Sequence, residues 1–520
     1  MRNIFSKNQN NFPIQSWTHV YAAVFLLISI VMVVRFYKSP DSLIQDSLYK
    51  FAQLEEFAVS RNFQRPYNEL SQRIDPETNF RVFIAPFEVH TQTGNYFVFP
   101  FLWVMINYPF FYFFGFYGIF IIPILSGLLS IYLLARLLGL LTKRNDLLHY
   151  TILFYLLCTP LTIYSSWFYE ATICNAILYL SLYLIFKYKK GKLSYIGFLL
   201  NGFLIFFRIE IFYWSILVFG LVFLFRKKER FLFFRKLSLL TIPVFIFLFS
   251  HHYFYGTFLP LRAANMEGFT IAFRFQRLSE YLMMFLLYIP PALFLTIPIL
   301  RASLQNPKLN PFRLRNSSHT IVRKFSLRRL DLYIFWAIVL LIFTLPILSP
   351  NQQGLDTTPR YFFPITPLLA FFCFKMFSHW KPKTAKLASI SLIAFSFLYI
   401  YTFVKIVKSY THNFPAILQK IDAHKSQVNI YYQDKLLIPG ELMRIRDSQN
   451  AYFKVSSKEE LLSLQERIRK QHIAREQISL FLMGETPDFI QDENVLEIDS
   501  GNIPGHPDCK NLFTKRILGT

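Results

Sequence analysis

The sequence predicts an all-α polytopic membrane protein of about eleven transmembrane helices, closed by a small C-terminal α/β extracytoplasmic domain. Three observations predict it. Apolar residues are gathered into long stretches almost free of charge, among them 20–34, 116–134, 211–225 and 332–348. The loops between the stretches are short and, at every second crossing, basic. Beyond residue 409 the pattern changes to short strands and a charged helix.

Clustering decides the class, because composition alone does not. The chain is 53% hydrophobic with a mean hydropathy of +0.34, only modestly above the about 45–50% of a soluble domain. Each apolar stretch covers about 20–30 Å as a helix, enough to cross most or all of a bilayer core. Recurrence of such stretches as far as residue 407 excludes a single soluble core. No small-residue cleavage site follows 18–37, so that stretch is not a signal peptide alone. Cys158, Cys174 and Cys373 fall in predicted spans and Cys509 in the tail, a spacing that gives neither a disulfide framework nor a thiolate metal site.

The net charge of +24, from 55 Lys and Arg against 31 Asp and Glu, has a topological meaning. The bases lie in loops around residues 2–7, 136–144, 187–192, 226–236, 301–329 and 375–386, and acids are nearly absent from them. This is the positive-inside pattern and not a nucleic-acid footprint, so no nucleic-acid partner is expected. Placing every basic loop in the cytoplasm gives spans at 18–37, 116–138, 148–167, 171–188, 194–209, 211–226, 236–253, 280–299, 332–349, 362–378 and 386–407. The N-terminus is then cytoplasmic and the C-terminus outside the inner membrane. The segment 99–114, aromatic and broken by Pro100 and Pro109, reads as an interfacial or re-entrant helix, because counting it as a span inverts every later basic loop.

Two domains follow. Residues 1–408 form the membrane domain, with outer loops at 38–98 and 251–279, and 409–520 form the soluble extracytoplasmic domain. In the latter, Val428–Tyr432 and Ile478–Met483 read as strands. Ser457–Gln471 reads as a helix with a capping serine and two early glutamates.

The candidate chemistry lies on the outer side. The first outer loop carries Asp41, Asp46, Lys50, Glu55 and Glu56. If 41–58 is helical, Asp46, Lys50 and Gln53 share one face at i, i+4 and i+7. That spacing suits a base kept ionised by a neighbouring cation, and equally a metal ligand beside a phosphate-binding lysine. It also suits a solvated helix braced by an Asp–Lys pair. Asp75-Pro76 reads as part of a turn. Glu170 stands at the outer end of the third span, and Arg208 and Glu210 at that of the fifth. Ionisable groups this deep face a cavity or a partner, or snorkel to the interface. Two residues apart on a helix, Arg208 and Glu210 point to different faces and are expected not to pair with each other. His251 and His252 read as an interfacial polar pair. Arg360-Tyr361, at the outer mouth of the tenth span, suits bidentate grip of a phosphate.

The chain resembles the GT-C superfamily of integral membrane glycosyltransferases, nearest to the bacterial group similar to lipopolysaccharide-core sugar transferases and protein O-mannosyltransferases. The resemblance runs over residues 18–407. It is carried by Pro40-Asp41 through Gln53, by Tyr96-Phe97-Val98-Phe99-Pro100 with Pro109 and Phe113-Phe114-Gly115, and by Leu133-Leu134-Ala135-Arg136-Leu137-Leu138. Pro359-Arg360-Tyr361-Phe362-Phe363-Pro364 completes it. It implies transfer of a sugar, with inversion, from a polyprenyl-phosphate donor to a lipid, glycan or protein acceptor at the outer face. It implies that Asp46 or Asp41 acts as base or holds a divalent metal such as Mg or Mn, with Glu170 as a second carboxylate. Arg360, with Arg208 as an alternative, would neutralise the donor phosphate, while Lys50, Glu210 and Tyr361 would contact substrate. The chain departs from the family where an adjacent acidic pair is usual: Asp41 and Asp46 are each followed by serine, so either can be the catalytic aspartate. Other classes are a polysaccharide or lipid transporter or flippase, and a non-catalytic envelope assembly protein. Neither an inverted repeat nor a matched pair of broken spans supports the transporter.

Overall fold

A computed structural model describes residues 16–43, 46–64, 68–77, 79–80, 88–91, 93–188, 191–225, 230–258, 260–261, 274–276, 278–280, 282–283, 289, 329–348, 362–422, 426–432, 450–473, 477–483 and 512–515. The chain divides into two compact units. The first comprises Met1–Met32, Tyr117–Ser250 and Glu267–Phe403, and the second Val33–Phe116, His251–Met266 and Val404–Thr520.

Helices dominate the first unit: α1 (Ser16–Phe36), α5 (Ile121–Leu141), α6 (Asn145–Leu157), α7 (Leu161–Ser165), α8 (Ala171–Lys187), α9 (Leu193–Gly202), α10 (Ile209–Phe225), α11 (Arg230–Leu237), α12 (Thr241–Tyr255), α13 (Arg329–Leu348), α14 (Thr366–Phe377) and α15 (Pro382–Asp422). The ends of α1, α12 and α15 fall in the second unit. α5 packs on α8, α8 on α9, α6 on α14 and α10 on α13.

Two sides of α1 show what surrounds it. Ala22, Phe25, Ser29 and Met32 are buried at helical spacing, whereas Val20, Leu27, Val31 and Val34 are apolar and exposed. A helix apolar on both its packed and its open face belongs in lipid, because water on the open face would make a continuous apolar stripe a liability. α15 repeats the pattern, with Leu392, Ser396, Ile400 and Phe403 buried and Leu387, Ile390, Leu398 and Tyr401 exposed. Among the described residues, four helical stretches, Ser16–Phe36, Phe101–Leu141, Phe234–Tyr255 and Pro382–Lys405, are long and apolar enough to cross a membrane, and shorter apolar helices accompany them. The predicted span 280–299 lies largely outside the described residues. The segment read as interfacial, 99–114, is α4 (Phe101–Phe114), and helix continues through a 3-10 turn (Gly115–Phe120) to Leu141. Pro109 sits inside α4 without ending it. Asn107 back-bonds to the Trp103 carbonyl at 2.7 Å and both are buried, so local side-chain bonding supports the turn before the proline.

The second unit begins with a 3-10 turn (Pro40–Ser42), α2 (Asp46–Ser60), α3 (Glu69–Ile74) and the hairpin β1 (Glu88–Thr91)–β2 (Gly94–Phe97), followed by α4. α2 packs on α4 and β2. The tail supplies β3 (Val428–Tyr432), β4 (Ala451–Val455), α16 (Lys458–Lys470), β5 (Ile478–Met483) and β6 (Leu512–Lys515). The sheet runs β4-β3-β5-β6, parallel across the first three strands and antiparallel at β6. β3 is buried on both faces, as the inner strand of a parallel sheet is. Leu461, Leu464 and Ile468 on α16 meet Val428, Ile430, Phe453, Val455 and Leu480 in one core. The helix starts where the sequence says: the Ser457 hydroxyl accepts from the Glu460 amide at 3.2 Å and the Glu460 carboxylate accepts from the Ser456 amide at 2.6 Å.

Close approach of α5 to its neighbours depends on Gly127. A Cβ there would lie 2.6 Å from both the Phe25 ring of α1 and the Ser165 hydroxyl of α7, the small-residue contact by which helices pack without a hydrophobic drive. Gly127→Val is therefore expected to destabilise the protein by about 1–3 kcal/mol through overpacking, read as a lower melting temperature and poorer monodispersity in detergent. An unchanged melting temperature would show that α1 yields freely.

Candidate functional site

Interruptions of the helices put charged groups at protected positions in the first unit. Pro160 stops α6 and caps the short α7. The chain then runs irregularly through Ser166–Tyr169 to Glu170, the N-cap of α8. A second break follows the 3-10 turn Phe203–Phe206, and Arg208 stands in it just before α10.

These two breaks meet in space. Arg208 Nε donates to Glu170 Oε1 at 3.1 Å, and Arg208 Nη1 donates to Glu210 Oε1 at 3.0 Å. Nη2 donates to the Tyr169 hydroxyl, and the guanidinium carbon lies 4.6 Å from the centre of the Tyr169 ring. The expectation that Arg208 and Glu210 avoid each other is thus corrected. It assumed that both lie on one regular helix, whereas Arg208 precedes α10 and its side chain is free to turn toward the helix's first residues. The side chains of Arg208 and Glu170 are each 3% exposed and that of Glu210 is 11% exposed. Glu170 is therefore the inner partner and Glu210 the one nearer solvent.

The wall behind this cluster is aromatic. Tyr164 lies 5.1 Å from Tyr169 and 5.1 Å from Phe363, ring centre to ring centre. Tyr155 lies 6.0 Å from Phe363 and takes hydrogen bonds with Ser130 (2.8 Å) and Asn175 (2.7 Å). The Tyr179 hydroxyl donates to the Pro364 carbonyl at 2.7 Å. Phe363 and Pro364 of the Arg360–Pro364 motif thereby meet tyrosines of α6, α7 and α8. Arg360 and Tyr361 themselves lie outside the described residues.

The second unit holds the other candidates. Asp46 is half-buried, whereas Lys50 and Gln53 are 0% and 1% exposed. A solvated Asp–Lys helix is excluded by that burial. Lys50 Nζ lies 5.3 Å from the centre of the Phe99 ring, and Gln53 donates to the Phe99 carbonyl at 3.4 Å. Tyr49 stacks on the same ring at 6.1 Å. Asp41 belongs to the 3-10 turn ahead of α2. His251 is buried with its ring 4.6 Å from Tyr255, and His252 stacks on Phe258 at 4.2 Å. The two histidines therefore point to different aromatic partners.

No family model and no curated protein matches the sequence. Two solved structures are similar to it. One is the crystal structure of ArnT from Cupriavidus metallidurans bound to undecaprenyl phosphate, 12% identical, with 90% of this chain and 93% of that chain covered at a TM-score of 0.45. The other is ArnT from the same organism in the apo state, 12% identical, with 90% and 92% covered at a TM-score of 0.47.

Among the described residues no group of three or more His, Cys, Asp or Glu side chains is placed to hold a metal ion. At the Glu170–Glu210 pair, Arg208 supplies a single positive charge to the two carboxylates. Sequence reading named all three of these residues but not Tyr169, Tyr164 or Tyr155. The signal for Tyr169 was its place directly before Glu170; Tyr155 and Tyr164 gave none, because tyrosines are common in apolar spans.

Taking one partner from a buried ion cluster strands the rest. Arg208→Leu is expected to cost about 3–5 kcal/mol, with two carboxylates left facing each other. Glu170→Gln is expected to cost less, since Glu210 still pairs with Arg208. Thermal unfolding of the purified variants checks the order, and equal stability of Arg208→Leu and wild type would show that the cluster carries no structural load.

Proposed function

We propose that the chain is a GT-C type membrane glycosyltransferase that moves a sugar from a polyprenyl-phosphate-linked donor to a lipid, glycan or protein acceptor, with inversion, at the outer face of the cytoplasmic membrane. One observation carries this reading. Glu170, Arg208 and Glu210 form a buried ionic cluster at helix interruptions, walled by tyrosines, among apolar helices of the first unit. Ionic groups in such surroundings are costly and accompany substrate sites more often than they serve as braces.

The chemistry needs a base, a cation and hydroxyl recognition. A carboxylate takes the proton from an acceptor hydroxyl as that oxygen attacks the anomeric carbon on the face opposite the phosphate. The bond from that carbon to the phosphate oxygen breaks, and the polyprenyl phosphate leaves with the negative charge that a cation must neutralise. Asp46 is the proposed base, as the resemblance implies, with Asp41 the alternative and Lys50 one turn along as a cation. Glu210, the more open carboxylate of the cluster, is proposed to accept hydrogen bonds from the sugar, with Arg208 and Glu170 fixing its orientation. Arg208 is already shared between two carboxylates, which supports Arg360, with Tyr361 beside it, as the group that meets the donor phosphate. The N-terminus is proposed to be cytoplasmic and the tail outside.

In proteoliposomes supplied with a polyprenyl-phosphate-linked sugar, Asp46→Asn is expected to abolish transfer while insertion and melting temperature stay intact. Full activity in that variant would remove Asp46 from the site and promote Asp41. Glu210→Gln is expected to lower turnover by about 10²-fold or more. Mass spectrometry of surface glycolipids and glycoproteins after gene deletion tests the class itself: a missing sugar names product and acceptor, and an unchanged glycan profile would sink the transferase reading.

A further inference from the structure

We infer that Asp75 and Arg467 are positioning residues: they fasten residues 68–80 of the first outer loop to the C-terminal sheet, so that loop and tail fold as one unit and hold α2 in place. Its bearing on sugar transfer rests on the transferase reading, through Asp46 and Lys50 on α2. The fastening itself stands on geometry within the second unit.

Five kinds of contact converge on this seam. Arg467 Nη1, on α16, donates to Asp75 Oδ1 at 3.1 Å, and Nη2 donates to Glu77 Oε2 at 3.0 Å. The same guanidinium lies 5.2 Å from the centre of the Phe80 ring. The backbones also join: the Lys454 amide, on edge strand β4, donates to the Phe80 carbonyl at 2.9 Å. Thus the loop covers part of a sheet edge that would otherwise be open. Asn68 works on both sides, since its Oδ1 accepts from the Ser71 amide at 2.7 Å to cap α3, while its Nδ2 donates to the Asn450 carbonyl at 2.6 Å. Finally, Ile74 and Phe80 belong to the core formed by β3, β4, β5 and α16. The tail's core is incomplete without the loop.

Asp75 is the member whose loss is felt most. Its side chain is 0% exposed, against 27% for Arg467 and 67% for Glu77. Its carboxylate accepts from the Asn79 amide (3.1 Å) and the Phe80 amide (2.8 Å) as well as from Arg467. The Asp75-Pro76 turn expected from sequence is present, and its carboxylate is also the internal tie of loop to tail. The exposed Arg467–Glu77 contact is worth little by comparison.

The fastening reaches α2 through a short connection. Residues 61–67 join Ser60 at the end of α2 to Asn68, and Gln64 within them bridges to Tyr96 of β2. Gly94, beside Tyr96, has φ +143°, and a Cβ there would lie 2.4 Å from the Gln64 side chain. With the chain held at Gln64 and again at 68–80, α2 has little freedom to shift. A displacement of about 1 Å in a reacting group can cost on the order of 10²-fold in rate.

The test uses the full chain in lipid nanodiscs, followed by hydrogen exchange and by turnover with a polyprenyl-phosphate-linked sugar. Arg467→Ala is expected to raise exchange across both 46–60 and 68–80 and to leave α8 unchanged. Its kcat is expected to fall by about tenfold with little change in donor KM. Arg467→Lys, which keeps a cation against Asp75, should recover most of the turnover. Lys470→Ala, which removes only an exposed pair with Glu466, should change neither readout. Should Arg467→Ala fail to accumulate, Arg467→Lys against wild type gives the same comparison at smaller amplitude. Exchange confined to 458–470 would overturn the fastening, and loosened loop amides with unchanged kcat would overturn the positioning role. A wild-type chain inactive with every such donor would overturn the transferase reading, and the exchange comparison would still decide the fastening.

Discussion

Arg208 has its guanidinium almost wholly withdrawn from solvent, and two carboxylates and a phenol close around it. Moving such a group out of water costs several kcal/mol even after the surroundings relax. Glu170 and Arg208 are each costly at these positions unless an opposite charge meets them, and Glu210 gives Arg208 a second such partner. The cluster coincides with departures in the local chain path. Both segments, 166–170 and 203–208, depart from regular α-helix where the charges meet. Interruption in turn frees backbone groups. The Arg208 amide bonds to the Leu204 carbonyl at 2.8 Å, and the Tyr169 amide bonds to that of Trp167 at 2.8 Å. Backbone polar groups among apolar surroundings are thereby satisfied locally.

The second unit obeys the same constraint by other means. Lys50 is withdrawn from solvent on a helix whose face also carries Asp46, and an aromatic ring stands beside its ammonium. Asp75, also withdrawn, is met by two backbone amides and one arginine. In each case the counter-group arrives from a different part of the sequence or from a neighbouring turn. The ion cluster of the first unit ties 170 to 208–210, and that of the second ties 75 to 467. Buried charge therefore acts here as a long-range register mark, fixing which segments meet.

How much of this the sequence shows depends on the range of the interaction. Strands at Val428–Tyr432 and Ile478–Met483 and the helix following Ser457 were legible, because alternation and capping are local signals. So were the helices at 18–37, 171–188 and 211–226, whose apolar runs end near charged or basic residues. The loop charges gave candidates at Glu170, Arg208 and Glu210, since an ionisable group in an apolar run is conspicuous. Their pairing was not legible, because it depends on a break at Phe207–Arg208 that no proline or glycine announces. Burial of Lys50 escaped for a similar reason: a spacing of i and i+4 looks the same on a wet helix as on a packed one. Asp75 looked like an ordinary turn residue because its partner lies in α16, far along the chain.

The sign of charge in the first cluster bears on what it can do. With both carboxylates ionised, one guanidinium against two carboxylates leaves a net negative charge in a site of low polarity. An incoming phosphate would be repelled there, and each of the three Arg208 nitrogens already donates to Glu170, Glu210 or Tyr169. Neutral hydroxyls suit it better: a carboxylate accepting a hydrogen bond from a sugar hydroxyl gains a charge-assisted contact without bringing further charge into the site. A polyprenyl-phosphate donor has both parts, a sugar rich in hydroxyls and a phosphate that becomes more anionic as it leaves. The two ends call for opposite electrostatics, and a single cluster cannot supply both. Carboxylates braced by an internal arginine suit the sugar end. A cation outside that cluster is what the phosphate end requires.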